Sequence, residues 1–132
     1  MTNSNKFLSL KFLLAVDAAT CAAMGALLLL GSGPVAEVTR IPAGLLFWAG
    51  ASLLPIAAFM AISSSTTPVP GWAATLVVLG NLLWAAASIF LPAAGLVAPN
   101  PLGWAFLFGQ AGVVAILAKL EFDALRSQMI AA

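Results

Sequence analysis

The chain has 132 residues, of which 63% are hydrophobic and 7% are charged, and its formal net charge is +1. An average soluble domain carries roughly 25% charged residues, so this composition excludes an ordinary water-soluble fold. The few scattered cations exclude a nucleic-acid partner, and with no histidine and one cysteine the chain lacks the side chains of haem, zinc and Ser-His sites. We therefore expect an integral membrane protein surrounded by lipids, with no metal or cofactor.

Four segments are long and apolar enough to cross a membrane, since a transmembrane helix needs roughly 20 mostly apolar residues. They are residues 12–30, 42–62, 71–91 and 101–120, and the segments between them are rich in Gly, Pro and Ser. The last three begin at or beside a proline, which suits a first helical turn because its missing N–H has no partner there. The sequence thus predicts an all-α fold, a single four-helix transmembrane domain over residues 1–132.

The charged residues predict how these segments are oriented. Lys6 and Lys11 precede the first segment, Lys119 and Arg126 end or follow the fourth, and residues 41–118 carry no charge. Cations near the ends of membrane helices favour the cytoplasmic side. We expect a multi-pass bundle in the cell inner (cytoplasmic) membrane, running up-down-up-down with both termini cytoplasmic, because the short loops make consecutive helices antiparallel neighbours.

The first segment also has features of a cleaved export signal. Lys6 and Lys11 would form its basic region, and residues 18–21 resemble a lipoprotein cleavage box. An alanine stands where that box has leucine, however, and Thr20 stands where it has a smaller residue. Because Asp17 also interrupts the apolar region, we expect the first segment to be retained as a helix.

The second and fourth segments begin with the same pattern of residues. The matched residues, at a constant offset, are Pro42, Gly44, Phe47 and Gly50 in one and Pro101, Gly103, Phe106 and Gly109 in the other. One interpretation is duplication of a two-helix unit, related by an axis along the membrane normal. The other is that proline and glycine are common where membrane helices begin and pack closely.

Asp17 is the most informative residue for function. An aspartate near the middle of a membrane helix costs about 2.5 to 3.5 kcal/mol to insert, so it faces the bundle interior or a water-filled cavity. It either forms an ion pair with Lys119 or is a neutral carboxyl bonded to Thr20 or to polar groups of the third and fourth segments. The functional alternative is a proton-binding site.

Two amide side chains lie near the middle of their segments, Asn81 in the third and Gln110 in the fourth. Each lies about 15 Å from one end of its segment, so we expect the two side chains to meet. Ser88 follows Asn81 by seven residues and shares its helix face. These side chains either fix the register of the helices or form, with Asp17 and Lys119, an intramembrane polar site. No catalytic or metal-binding residue is expected.

Small residues form two faces suited to close helix contact, which can lie within the monomer or between this chain and another. The face on the first segment comprises Ala18, Ala22, Gly25 and Ala26, and the face on the fourth comprises Ala111, Gly112 and Ala115. We expect these faces to pack inside the bundle, in a homo-oligomer, or against another membrane protein.

Several short motifs occur in an order that resembles a known family. They are Asn81-Leu-Leu-Trp84 followed by Ser88, then Pro99-Asn100-Pro101-Leu102-Gly103, Gln110-Ala111, and Leu120-Glu121-Phe122 with Leu125-Arg126; Asp17-Ala18 and Gly31 fit the same pattern. Together they resemble a family of small uncharacterised bacterial four-helix integral membrane proteins. The resemblance implies a bundle over nearly the whole chain and no particular activity.

The four-helix length and the acidic residue in the first segment are also similar to the small multidrug resistance transporters. Those transporters place a glutamate there with aromatic partners, whereas this chain has Asp17 and no tyrosine. This departure argues against carrying their drug/proton exchange over to this chain.

Two functional hypotheses follow. In the first, the protein is a non-enzymatic accessory, assembly or structural subunit that contacts its partner through the Gly/Ala faces. In the second, it is a proton-coupled transporter of a small solute, with Asp17 as the proton site and Asn81, Ser88 and Gln110 along the path. We expect no enzyme, because Asp, Asn and Gln without a metal ligand or cofactor motif match no common reaction class.

Overall fold

The computed structural model describes residues 9–131 as an all-helical chain. Its helices are α1 (Leu10–Leu30), α2 (Ser32–Thr39), α3 (Ala43–Ser64), α4 (Gly71–Ala93) and α5 (Pro101–Ala131). Four of them are long and apolar enough to cross a membrane, namely α1, α3, α4 and α5, which confirms the predicted all-α class and suggests a multi-pass membrane protein. Lys6, one of the two N-terminal cations, lies outside the described residues.

Local hydrogen bonds explain where the long helices begin and end. The Ser9 hydroxyl accepts a hydrogen bond from the backbone N–H of Phe12 at 3.2 Å and so caps the start of α1. Asn100 does the same for α5, because its side-chain oxygen accepts from the N–H of Gly103 at 2.8 Å. At the end of α1 the N–H of Gly31 donates to the carbonyl of Leu27.

The segment between α1 and α3 is helical, although its Gly, Pro and Ser content predicts a loop. Pro34 lies in the first turn of α2, where its missing N–H removes no helical bond. The helix ends at Thr39, and the next residue, Arg40, adopts a left-handed conformation with φ of 64°. A further difference lies at the C-terminus, where α5 continues past Leu120 to Ala131.

The long helices pack as two pairs. We call α1 with α3 the first hairpin and α4 with α5 the second hairpin, because the contacts within each pair are far more extensive than those between pairs. The first hairpin is closest where Gly25 meets Gly50: a Cβ on Gly50 would lie 2.8 Å from the carbonyl oxygen of Gly25 and 2.7 Å from the backbone nitrogen of Leu29. Between the hairpins, α1 touches α5 more extensively than α3 touches α4.

Hydrogen bonds join helices to loops at both ends of the molecule. At one end, here called the Thr67 end, the Lys11 ammonium donates to the Thr67 hydroxyl at 2.9 Å and the Gln128 amide donates to the Val69 carbonyl at 2.8 Å. At the other, the Asn100 end, the Asn100 side chain donates to the carbonyl of Val38 at 2.7 Å.

The buried apolar core forms two separate clusters. One contains Leu10, Leu14, Ala18, Met60, Val69, Ala74, Val77 and Leu125, and the other contains Leu28, Ile41, Leu46, Leu53 and Leu107.

The outer surface of the helices is apolar, as expected of a protein whose solvent is lipid. Large side chains point outward from the long helices, with Leu83 72% and Trp48 and Ile62 each 68% exposed. A soluble protein rarely presents so extensive an apolar surface to water. Of the candidate polar residues, Asp17, Asn81 and Ser88 are buried on the inward side, whereas Lys119 is exposed.

Candidate functional site

Asp17 lies on the inward face of α1 and is only 1% exposed. One carboxylate oxygen, Oδ2, accepts a hydrogen bond from the Asn81 side-chain nitrogen at 2.7 Å. The other, Oδ1, accepts a longer bond from the Cys21 thiol at 3.6 Å. Thr20 does not reach the carboxylate, because its hydroxyl donates to the backbone carbonyl of Asp17. The aspartate is therefore held by one residue from its own helix and one from α4.

Asn81 joins three helices through a single amide group. Its nitrogen donates one hydrogen to Asp17 on α1 and the other to Oε1 of Glu121 on α5, at 2.9 Å. Asn81 is 6% exposed and Glu121 is completely buried. Because a primary amide carries two N–H donors, the two carboxyl groups use the whole donor capacity of this side chain. We call Asp17, Asn81 and Glu121 the carboxyl–amide cluster.

The two carboxyl groups of this cluster are close together. Two hydrogen bonds from one planar nitrogen place the bonded oxygens about 5 Å apart. At that distance two negative charges would repel by roughly 3 kcal/mol at an effective dielectric constant near 20. Oε2 of Glu121 is buried and has no hydrogen-bond partner among the described residues. The cluster is thus short of hydrogen-bond donors and suited to holding an additional proton.

Lys119 does not neutralise this cluster, so the predicted ion pair with Asp17 is wrong. Its side chain is 72% exposed and bonds to Asp123 at 2.7 Å, one turn further along α5. Helix geometry gives the reason, since residues two apart differ by about 200° around the axis. With Glu121 facing inward, Lys119 must face outward.

Gln110 and Ser88 form contacts of their own, separate from Asn81. The indole N–H of Trp84 donates to Oε1 of Gln110 at 3.2 Å, so the expected meeting of Asn81 and Gln110 does not occur. Both hydrogens of the Asn81 amide are donated to carboxyl groups, and Trp84, one turn further along α4, reaches Gln110 instead. The hydroxyl of Ser88 donates to the backbone carbonyl of Trp84 and is buried.

A partly open cavity of about 750 Å³ lies between the two hairpins and is lined by all four long helices; Leu76 and Val113 on its wall are more than half exposed. This volume is within the range of small-molecule pockets. Asp17, Asn81 and Gln110 lie on its wall, whereas Ser88 and Lys119 do not. Most of the wall is apolar, and its sulfur-containing and aromatic side chains are Cys21, Met24, Phe59, Met60, Trp84 and Phe106. The geometry therefore combines an apolar chamber with a buried acidic group.

Two glycines help to keep this chamber open. Gly80 on α4 and Gly109 on α5 both line the cavity, and a Cβ added to either would meet no atom of the described residues within 4 Å. A larger residue at these positions would extend into the space instead of closing an existing contact. No group of three or more His, Cys, Asp or Glu side chains within residues 9–131 is arranged to hold a metal ion.

Glu121 is the member of the cluster that the sequence analysis did not single out. The predicted fourth helix ended at Leu120, which placed Glu121 outside the membrane segment. A pattern in the sequence points to it nevertheless: Glu121 follows Gln110 by eleven residues, which is close to three full helical turns and returns to nearly the same face. Extending the helix by one turn would have placed both residues inward.

Comparisons with known proteins add no family to this description. No family model, no curated protein and no solved structure matches the chain. The resemblance to a bacterial four-helix family stays a prediction from the motifs. The carboxyl–amide cluster and its cavity are therefore the features of this chain that bear on function.

Proposed function

We propose that the protein is a non-enzymatic, proton-linked carrier of a small solute. The observation that carries this proposal is the placement of Asp17: buried, bonded to Asn81, and on the wall of a cavity of about 750 Å³ that all four long helices line. Acidic residues inside membrane segments are rare and mark ion pathways and proton relays. A cavity of this size beside such a residue gives a solute a place to bind.

The same proposal includes an orientation in the cell inner membrane. Lys11 and Gln128 bond to the α3–α4 loop at the Thr67 end, which gathers the two terminal helix ends there. Together with Lys119 and Arg126, Lys11 favours the cytoplasm at that end. The chain then crosses the membrane up-down-up-down with both termini cytoplasmic.

The cavity wall favours a neutral or positively charged solute. None of the described residues that line it is a lysine or arginine, and Asp17 supplies the acidic group. Release of a proton from the cluster leaves negative charge facing the solute, and binding of a proton removes it. Proton and solute binding are therefore linked through charge, which is the requirement for coupled transport.

Movement of the solute requires the hairpins to separate at one end at a time. The contacts that oppose this are the Asn81–Asp17 bond beside the cavity, the Asn100–Val38 bond at one end, and the buried apolar cluster that all four long helices share towards the Thr67 end. The first hairpin is closely packed at Gly25 and Gly50. We infer that each hairpin moves as a unit around the cavity.

The test uses purified protein in lipid vesicles that contain a pH-sensitive dye. The Asp17→Asn variant keeps a side chain of the same shape and removes the titrating group. Asp123→Asn is the matched control, because Asp123 is a partly exposed carboxylate that bonds Lys119 and lies outside the cavity. We expect Asp17→Asn to lose most of the proton flux and Asp123→Asn to retain it. Equal flux in the wild type and Asp17→Asn would overturn the proposal.

A second candidate function is the accessory or assembly subunit, favoured by the small residues that the bundle leaves uncovered. Ala22 and Ala26 on α1 and Gly112 and Ala115 on α5 are exposed, whereas Ala18 and Ala111 are buried inside. Small residues on a lipid-facing surface allow another helix to approach closely. For this candidate Gly112→Leu lowers the molecular mass of the complex in mild detergent, and an unchanged mass would contradict it.

A further inference from the structure

We propose that Asp17 and Glu121 bind a single proton between them, with Asn81 as the bridge that holds the two carboxyl groups in place. The site for the proton is then a pair of residues on α1 and α5 instead of Asp17 alone. Its role in transport rests on the proposed function, whereas proton binding by the pair does not.

The geometry supports sharing because one amide nitrogen bonds both groups. Asn81 donates to Oδ2 of Asp17 at 2.7 Å and to Oε1 of Glu121 at 2.9 Å, and both carboxyl groups are almost completely buried. Carboxyl groups this close, without a cation beside them, do not both ionise. One proton removes the repulsion between the two groups.

No cation in the described part of the chain compensates the pair. On α1, Lys11 bonds to Thr67 at the end of the molecule, and the neutral Cys21 thiol faces Asp17. Helices α3 and α4 carry no charged residue. On α5, Lys119 bonds to Asp123 at the surface and the Arg126 guanidinium lies 5.9 Å from the centre of the Phe122 ring. The remaining charges, Glu37 and Arg40, are in and after α2 towards the Asn100 end.

The unpartnered oxygen of Glu121 identifies where a proton can be held. Oε2 is buried and accepts no hydrogen bond from any residue that the structure describes, so as a hydroxyl it supplies the donor that the cluster lacks. On binding, the proton forms an O–H bond with one carboxylate oxygen, and the second carboxylate keeps its negative charge. On release that O–H bond breaks, its electron pair stays on the oxygen, and the proton passes to the cavity by way of Asp17, the carboxyl group of the pair that lies on the cavity wall.

Infrared spectroscopy of the purified protein tests proton sharing without any transport. A protonated carboxyl group gives a C=O stretching band that shifts in heavy water and disappears on ionisation. We expect the wild type to show this band at neutral pH, where the pair holds one proton. Titrated from low to high pH, the pair should lose two protons in two separate steps, as interacting sites do. Asp17→Asn and Glu121→Gln should each show at most one step, the double variant should lack the band, and Asp123→Asn should resemble the wild type.

The results separate the failure of this inference from the failure of the proposed function. Absence of the band in the wild type, or a Glu121→Gln variant that keeps both steps, would overturn sharing. If Asp17→Asn abolishes vesicle flux while Glu121→Gln leaves both flux and band unchanged, the carrier stands and the pair does not. Two coupled titration steps without any proton flux in vesicles would support the shared proton and contradict the proposed carrier function. Both substitutions preserve side-chain size, and thermal unfolding checks that the variants remain folded.

Discussion

The interface inside the first hairpin and the space between the two hairpins use glycine in opposite ways. At the crossing of α1 and α3, a Cβ on Gly25 or Gly50 would come within 3.1 Å of backbone or side-chain atoms of the other helix. Around the cavity, Gly80 and Gly109 have no atom of the described residues in the same position. In the first region the missing side chain allows the helices to approach closely, and in the second it leaves the space between them unfilled.

This contrast shows how an apolar chain can contain both a rigid frame and a chamber. Lipid tails are as apolar as leucine, so membrane helices associate through close packing and hydrogen bonds more than through hydrophobic burial. Close packing is concentrated within the first hairpin, and hydrogen bonds cross from hairpin to hairpin. It also bears on the repeated pattern, because the matched residues Gly50 and Gly109 have different surroundings: one lies at a tight crossing and the other lines the cavity.

The largest expected effect comes from filling the tight crossing. Gly50→Leu places a branched side chain where a single Cβ would already meet the backbone of α1 at 2.7 Å and 2.8 Å. We expect a loss of about 3 kcal/mol, the upper end of overpacking costs, or no folded protein. The measurement is thermal unfolding in detergent. Gly44→Leu is the control on the same helix, because a Cβ there meets no described atom within 4 Å. A Gly50→Leu variant as stable as Gly44→Leu would show that the crossing is not closely packed.

A smaller loss is expected from Asn81→Leu, which tests the bond of Asn81 to Asp17 in the first hairpin and its bond to Glu121 within the second. Both carboxyl groups of the carboxyl–amide cluster would lose their amide donor. Leaving a buried acceptor unpaired costs about 1–3 kcal/mol, so we expect a destabilisation near 2 kcal/mol in the same unfolding measurement. Ser88→Ala is the control on the same helix face, because its hydroxyl bonds only within α4. If Asn81→Leu and Ser88→Ala have the same free energy of unfolding, the hydrogen bonds of Asn81 do not stabilise the packing of the helices.

The Asn100 end allows the roles of one side chain to be separated. Asn100→Ala removes the cap of α5 and the bond to Val38, and the cap alone is worth about 1 kcal/mol. Asn100→Asp keeps an oxygen for the Gly103 N–H but cannot donate to Val38. Unfolding should therefore rank the wild type above Asn100→Asp and Asn100→Asp above Asn100→Ala. Because both variants lack the bond to Val38, the reverse order would show that the cap stabilises α5 less than the Asp carboxylate is repelled by the Val38 carbonyl.

The smallest effect is expected for the Trp84–Gln110 bond on the cavity wall. Trp84→Phe retains an aromatic ring and removes the indole N–H that donates to Gln110. Hydrogen bonds between membrane helices average about 0.6 kcal/mol, so a double-mutant cycle with Gln110→Leu should give a coupling free energy of this size. Coupling near zero would mean that the bond does not form in the membrane.

The sequence predicts the all-helical class and four apolar helices because lipid imposes a simple rule of length and hydropathy. Asp17 could be selected for the same reason, since a lone aspartate inside an apolar helix is costly. The α2 helix could not be predicted, because its Gly, Ser and Pro residues are typical of loops. The end of α2 is fixed by a hydrogen bond from the N–H of Asn100 to the carbonyl of Thr39, and a single sequence does not reveal such a distant contact.

The partners of Asp17 were harder to predict than its burial. Distance along the helix axes allows Lys119 to reach Asp17, but rotation about α5 decides which residue faces inward, and it favours Glu121. Asn81 could be identified as an interhelical residue without revealing which side chains it bonds. Rotation of each helix is set by packing, which composition does not encode.

Two variants on one helix test most directly whether the space between the hairpins is functional. Gly109→Leu fills the cavity, whereas Gly112→Leu, three residues later, adds the same side chain at an exposed position outside the cavity wall. A Cβ meets no described atom within 4 Å at either position, so both variants should fold. In vesicles with the pH-sensitive dye, we predict that Gly109→Leu loses most of the proton flux and Gly112→Leu keeps it. Undiminished flux in a folded Gly109→Leu protein would contradict the account.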